Sequence, residues 1–139
     1  MSDSVPRPRK TLTPGAGKLP ASGEGSWELD LLSGNAWFSE WFFERLQWPA
    51  EVKRRRLADL RPNLPAGAWE ALLLAIRAHL ERQVPLDTQI CAHLPGGEIQ
   101  WWRVVGTSLR NGREKPVLLT GSVHDVSAER RPNDPDPAT

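Results

Sequence analysis

The chain has 139 residues, 39% of them hydrophobic and 25% charged, with seven tryptophans, no tyrosine and one cysteine. That length gives room for one domain around one core, the lone Cys91 excludes an internal disulfide and the cysteine-rich zinc patterns, and no stretch approaches the ~20 apolar residues of a membrane-spanning helix. The net charge is only +1, and residues 25–130 balance thirteen Lys/Arg against thirteen Asp/Glu, so the basic face of a nucleic-acid binder is missing.

Residues 1–24 are rich in Pro, Gly, Ser and Thr, and carry Arg7, Arg9, Lys10 and Lys18 against Asp3 and Glu24. A segment so poor in large apolar groups does not offset the entropy of ordering, so a disordered, basic, Pro-rich arm is expected here, and a disordered tail at 132–139. The N-terminus has no apolar run of the kind that opens a secretory signal, which implies a cytoplasmic protein and no membrane attachment.

The folded part begins with GSWELDLLSGNAWFS. Trp27, Leu29 and Leu31 alternate with Glu28 and Asp30, the period of a half-buried strand, and Ser33-Gly34-Asn35 turns the chain into a second strand. Ser39 is placed to cap a short helix, EWFFERL, with Trp41, Phe42 and Leu46 on one face. AEVKRRRLADL reads as a second helical piece with Val52 and Leu60 inward and Lys53-Arg54-Arg55-Arg56 on a solvated face. RPNLPAG breaks it. From Ala68 to Gln83 the stripe Trp69, Leu72, Leu73, Ile76 and Leu80 predicts the main helix, with Glu70, Arg77 and Glu81 facing away.

Three strands close the chain. PLDTQICAHL puts Leu86, Thr88, Ile90, Ala92 and Leu94 on one side, Pro95-Gly96-Gly97-Glu98 makes a hairpin turn, and IQWWRVVGTSL follows. After the polar turn RNGREK, PVLLTGSVHDV keeps Val117, Leu119, Gly121 and Val123 in register. The expected fold is α+β: a five-stranded antiparallel sheet with short helices and one longer helix packed on one face.

These residues resemble a PAS domain with its C-terminal PAC motif, closest to the PAS fold-3 subgroup, over residues 25–131. The strand Trp27-Glu28-Leu29-Asp30, the helix end Ala78-His79-Leu80, the hairpin Gly96-Gly97-Glu98-Ile99-Gln100-Trp101 and the closing stretch from Gly121 to Arg130 stand in the subgroup's order. Departures exist too. The family's H-P-D-D turn is replaced by Arg61-Pro62-Asn63-Leu64-Pro65, and its E-Y-R triplet by Gln89-Ile90-Cys91. The cysteine motif of flavin-binding light-oxygen-voltage domains is absent.

No nucleophile elbow, phosphate loop or metal-ligand spacing is present, so no enzymatic activity and no metal site are expected. The resemblance implies an apolar pocket between sheet and helices, with Trp37, Phe42, Leu73, Ile76, His79, Ile90 and Trp101 as its candidate walls. His79 matters because some PAS domains hold haem through a histidine of the long helix; the expectation is a structural His79 and no cofactor, with haem as the alternative. Trp102 and Val104 fall on the strand phase opposite Trp101, Val105 and Leu109. A strand apolar on both faces must be covered on both, so Trp102 and Val104 are expected to meet a partner or a second copy, with the N-terminal arm folding back over them as the alternative. In the family the closing Asp ties the last strand to an output helix, and Asp125, Ser127 and Arg130 match those signal-coupling positions, whereas Pro132, Pro135 and Pro137 stop any continuing helix.

The implied function is a stand-alone PAS sensor and interaction module in signal transduction. It would act through dimerisation or through a separate signalling protein such as a sensor kinase, with no effector in the chain. The alternative is a small-ligand or haem sensor using the apolar pocket.

Overall fold

The computed structural model describes residues 24–129 except Lys53. The arm, the tail with its prolines, and Arg130 therefore lie outside the described residues.

Strand β1 (Glu24–Asp30) forms because its alternation is strict: Gly25, Trp27 and Leu29 are buried while their neighbours are exposed. A turn closed by Gly34 N–H donating to Asp30 O at 2.8 Å leads into β2 (Asn35–Phe38). Asp30 Oδ1 accepts the backbone N–H of Leu32 and of Ser33 across this turn, and those bonds hold its carboxyl below the ordinary 3.8. Helix α1 (Glu40–Leu46) follows. Ser39 does not cap it through its side chain; its Oγ instead accepts from Ser26 N–H at 2.9 Å, tying β1 to the helix start.

The stretch read as a second helix is different in kind. Val52 is 46% exposed, Arg55–Arg56 form the two-residue strand β3 on the edge of β2, and Leu57–Asn63 wind as a 3-10 helix with Leu60 buried. Arg55 is not solvated either. It is 9% exposed, with its guanidinium 4.2 Å over the Trp48 ring and 5.2 Å over Phe43. The aromatic pair makes a bed for a planar cation, which a charge run in a sequence does not reveal.

Helix α2 (Ala66–Arg82) is the long one and buries Ala68, Leu72, Ile76 and His79. The chain then makes β4 (Leu86–His93), β5 (Ile99–Arg110) and β6 (Pro116–Asp125) as a meander. The β4–β5 turn needs positive φ at Gly96 and Gly97, +92° and +99°, a region open to glycine without steric cost. The sheet is antiparallel throughout, in the order β3-β2-β1-β6-β5-β4. It has six strands rather than the expected five, the extra one being β3. Its centre, β1-β6-β5, brings together strands from both ends of the described region.

The helices cover one face, the inner face. Trp102, 1% exposed, stands there with Trp41, Phe42 and Phe38; the Trp41 and Trp102 ring centroids are 5.1 Å apart and those of Phe38 and Phe42 4.9 Å. Offset and edge-on contacts of this kind add to the area that the rings bury. Trp27, Gly121 and Gly106 form one row across β1, β6 and β5. The Trp27 indole lies over that row, since a Cβ on Gly106 would meet its Cζ2 at 2.8 Å. Gly106 leaves room that the ring fills, and Gly121 lets the backbone of β5 at Val105 and Gly106 approach closely.

Candidate functional site

Between the inner sheet face, α1, α2 and the 3-10 helix lies an apolar cavity of about 30 Å³, lined among others by Trp27, Phe42, Ile76, Ile90, Trp102 and Val104. That is roughly the volume of one water molecule. Pockets for small molecules enclose about 300–1,000 Å³, so in this conformation the rings fill the space. The Trp27 indole N–H is buried with no partner among the described residues, but the cavity lining itself is apolar.

Three of the expected pocket residues, Phe42, Ile76 and Ile90, line the cavity. The other four do not. Trp37 pairs with Glu28 on the outer sheet face and is 51% exposed. Leu73 is half-buried on the flank of α2. Trp101 points away from the helices, because β5 has the opposite phase from the one expected. His79 is buried, but its Nδ1 lies 2.7 Å from Val84 O, to which it donates, and its own carbonyl accepts Gln83 N–H where α2 ends. It fastens the α2–β4 connection. Its Nε2 has no partner among the described residues, yet His79 is not in the cavity wall, and the residues present do not fit a haem. Cys91 sits on β4, away from the helices that face the cavity.

The partner face is corrected in the same way. Trp102 and Val104 are core residues, and the face that α1, α2 and the 3-10 helix Leu57–Asn63 leave uncovered among the described residues is the one bearing Trp101, Arg103, Val105, Thr107 and Leu109. Cross-strand neighbours share a face, so Leu118, Thr120, Ser122 and His124 of β6 stand beside them. One end of this outer face is covered by the chain itself. Cys91, the register partner of Trp101, and Val126, whose N–H donates to Trp101 O at 2.9 Å, are buried outside the main core. Elsewhere it is open: Leu109 is 52% exposed, and Val105 and Leu118 are half-buried. Arg103 and Asp87 bridge β4 and β5 on this face, Nε to Oδ1 at 2.9 Å and Nη2 to Oδ2 at 2.6 Å. This two-pronged pairing holds the Asp87 carboxyl below 3.8 and raises Arg103.

Of the three expected coupling residues, Asp125 and Ser127 meet at one junction, and Arg130 lies outside the described residues. Asp125 Oδ1 accepts Ser127 N–H at 3.0 Å and opens the single 3-10 turn Ser127–Glu129. Ser127 Oγ accepts Trp101 N–H at 2.9 Å, and Asp125 Oδ2 lies 4.0 Å from Arg45 Nη2. Arg45 stacks 4.3 Å over Trp41. The last strand is thus joined both to the outer face and to α1, an arrangement for which Arg45 gave no signal in the sequence.

No family model matches the sequence, and no curated protein matches it. Solved structures do. The N-terminal domain of a diguanylate cyclase with a PAS/PAC sensor from Marinobacter aquaeolei matches with a TM-score of 0.67 at 17% identity, over 78% of this chain and 99% of that one. A sensory box histidine kinase/response regulator from Burkholderia thailandensis matches with a TM-score of 0.64 at 19% identity, over 78% of this chain and 80% of that one. An RNA-binding light-oxygen-voltage receptor gives a TM-score of 0.67 at 17% identity, over 80% of this chain but 31% of its own length. The chain has the PAS fold.

Proposed function

We propose that this is a non-catalytic PAS sensor and interaction module of signal transduction, cytoplasmic, working through association of its outer sheet face with a second copy of itself. The observation that carries this is the apolar stretch Val105, Leu109 and Leu118, which α1, α2 and the 3-10 helix Leu57–Asn63 leave open among the described residues. An apolar sheet surface left to water is costly, and burying it stabilises at about 25 cal/mol per Å². The similar structures include sensor parts of a histidine kinase and a diguanylate cyclase, which supports a signalling role and makes a separate sensor kinase the natural alternative partner. A change in association would reach α1 through Trp101, Ser127, Asp125 and Arg45. Sedimentation of the wild type against Leu109→Glu tests the proposal: the variant should lose association and keep its fold.

A second reading, a small-ligand sensor, is favoured by the apolar cavity between sheet and helices. It requires the cavity to expand. A thermal-shift panel of metabolites tests it; a stabilising ligand would favour it over association alone.

A further inference from the structure

Outside the cavity and the open sheet face, the described residues form a second hollow. It is an open groove of about 460 Å³ beside α1, walled by Trp37, Phe43 and Trp48 and edged by the carboxylates of Glu40 and Glu44. Glu40 and Glu44 are exposed, one helical turn apart, so both present to the same side. Phe43 and Trp48 meet edge to face, centroids 5.4 Å apart, and the buried Arg55 stacks on both without belonging to the groove wall, so the rings are held in place. Aromatic faces next to two carboxylates suit a guanidinium or ammonium group, which gains from ring and charge together. They also suit proline, which docks on aromatic grooves in an extended conformation that loses little entropy on binding.

We propose that this groove seats the chain's own segment Pro6–Lys10, the sequence PRPRK. The charges are complementary, with Arg7, Arg9 and Lys10 against Glu40 and Glu44. The geometry is favourable, because β1 starts at Glu24 and its Ser26 is bonded to Ser39, itself part of the groove wall. The thirteen residues 11–23 span about 45 Å when extended, more than the step from β1 to α1 demands. Tethering also gives the segment a local concentration on the order of millimolar, so a few exposed ion pairs, each contributing little alone, are enough to populate the docked form. Docking covers Trp37, which also stands at the edge of the open sheet face. The segment would therefore modulate that face, although the docking itself does not depend on association there.

The test uses the full chain and the indole N–H signals of Trp37 and Trp48 in ¹H–¹⁵N spectra. Replacing Arg7, Arg9 and Lys10 together by Glu should shift both signals, and 0.5 M NaCl should shift the wild type in the same direction. Adding Glu40→Lys and Glu44→Lys to the arm-reversed chain should bring both signals back. The shift should be the same at every protein concentration. Signals that ignore the arm charges, or a charge swap that fails to restore them, overturn the proposal. A wild-type pattern that disappears on dilution overturns it too, since the occupant would then be the arm of another copy.

Discussion

Trp102 Nε1 donates a 2.9 Å hydrogen bond to Oε1 of Gln100, two residues earlier on the same face of β5, in the middle of the aromatic core. Gln100 is 7% exposed and its Nε2 donates in turn to Glu98 Oε2 at 3.1 Å. The glutamine is there to satisfy the indole. Gln100→Leu leaves the indole N–H buried without a partner and should cost about 1–3 kcal/mol, read as a lowered urea midpoint with an unchanged slope. Trp102→Ala should cost more, about 3–5 kcal/mol.

The same residues explain why the strand was misread. Its inward phase holds Gln100, Trp102, Val104, Gly106 and Ser108, and its outward phase Ile99, Trp101, Arg103, Val105, Thr107 and Leu109. By apolar content the outward phase looks like the core. The glutamine is inside because an indole needs it, and the glycine because the Trp27 ring occupies the space of its side chain. Neither reason is local to the strand. The succession of strands along the chain and the long helix were legible because they rest on periodicity and turn residues, and the closing motif was legible through its resemblance to the family. Arg45 and the Arg55 sandwich were not, because they depend on rings brought in from elsewhere.

The glycine row gives a second prediction. Gly106→Ala pushes a methyl group into the Trp27 ring and against the Thr120 carbonyl, and Gly121→Ala pushes one into the backbone at Val105 and Gly106. Overpacking of this kind costs about 1–3 kcal/mol. The Gly121 variant should be the less stable of the two on thermal melting, because its clash is closer and its nearest contacts are all backbone, which yields less readily than a side chain.

Acid should loosen the β4–β5 edge first. Asp87 has a lowered pKa in the fold, below 3.8, because Arg103 bonds to its charged form. A carboxyl shifted that way stabilises the fold at pH above its unfolded value, and the contribution fades as the pH falls through the lower folded value. Stability measured between pH 6 and pH 2 should therefore fall less for Asp87→Asn than for the wild type on the acid side of about pH 4. Equal acid sensitivity would mean the pair contributes nothing.

The junction at the end of β6 can be probed by one hydroxyl. Ser127→Ala removes the acceptor for Trp101 N–H, a loss of about 1 kcal/mol. Amide exchange at Trp101 should speed up about fivefold, while Trp102 on the same strand keeps its wild-type rate. A uniform acceleration along β5 would indicate global destabilisation instead.

Sedimentation equilibrium of the wild type beside Leu109→Glu and Val105→Glu, with circular dichroism on the same samples, addresses the role of the open sheet face most directly. The wild type should sediment as a reversible dimer at tens of micromolar, and both variants as monomers with unchanged spectra. A wild type that stays monomeric at every concentration, or variants that sediment with the wild-type mass, would contradict it.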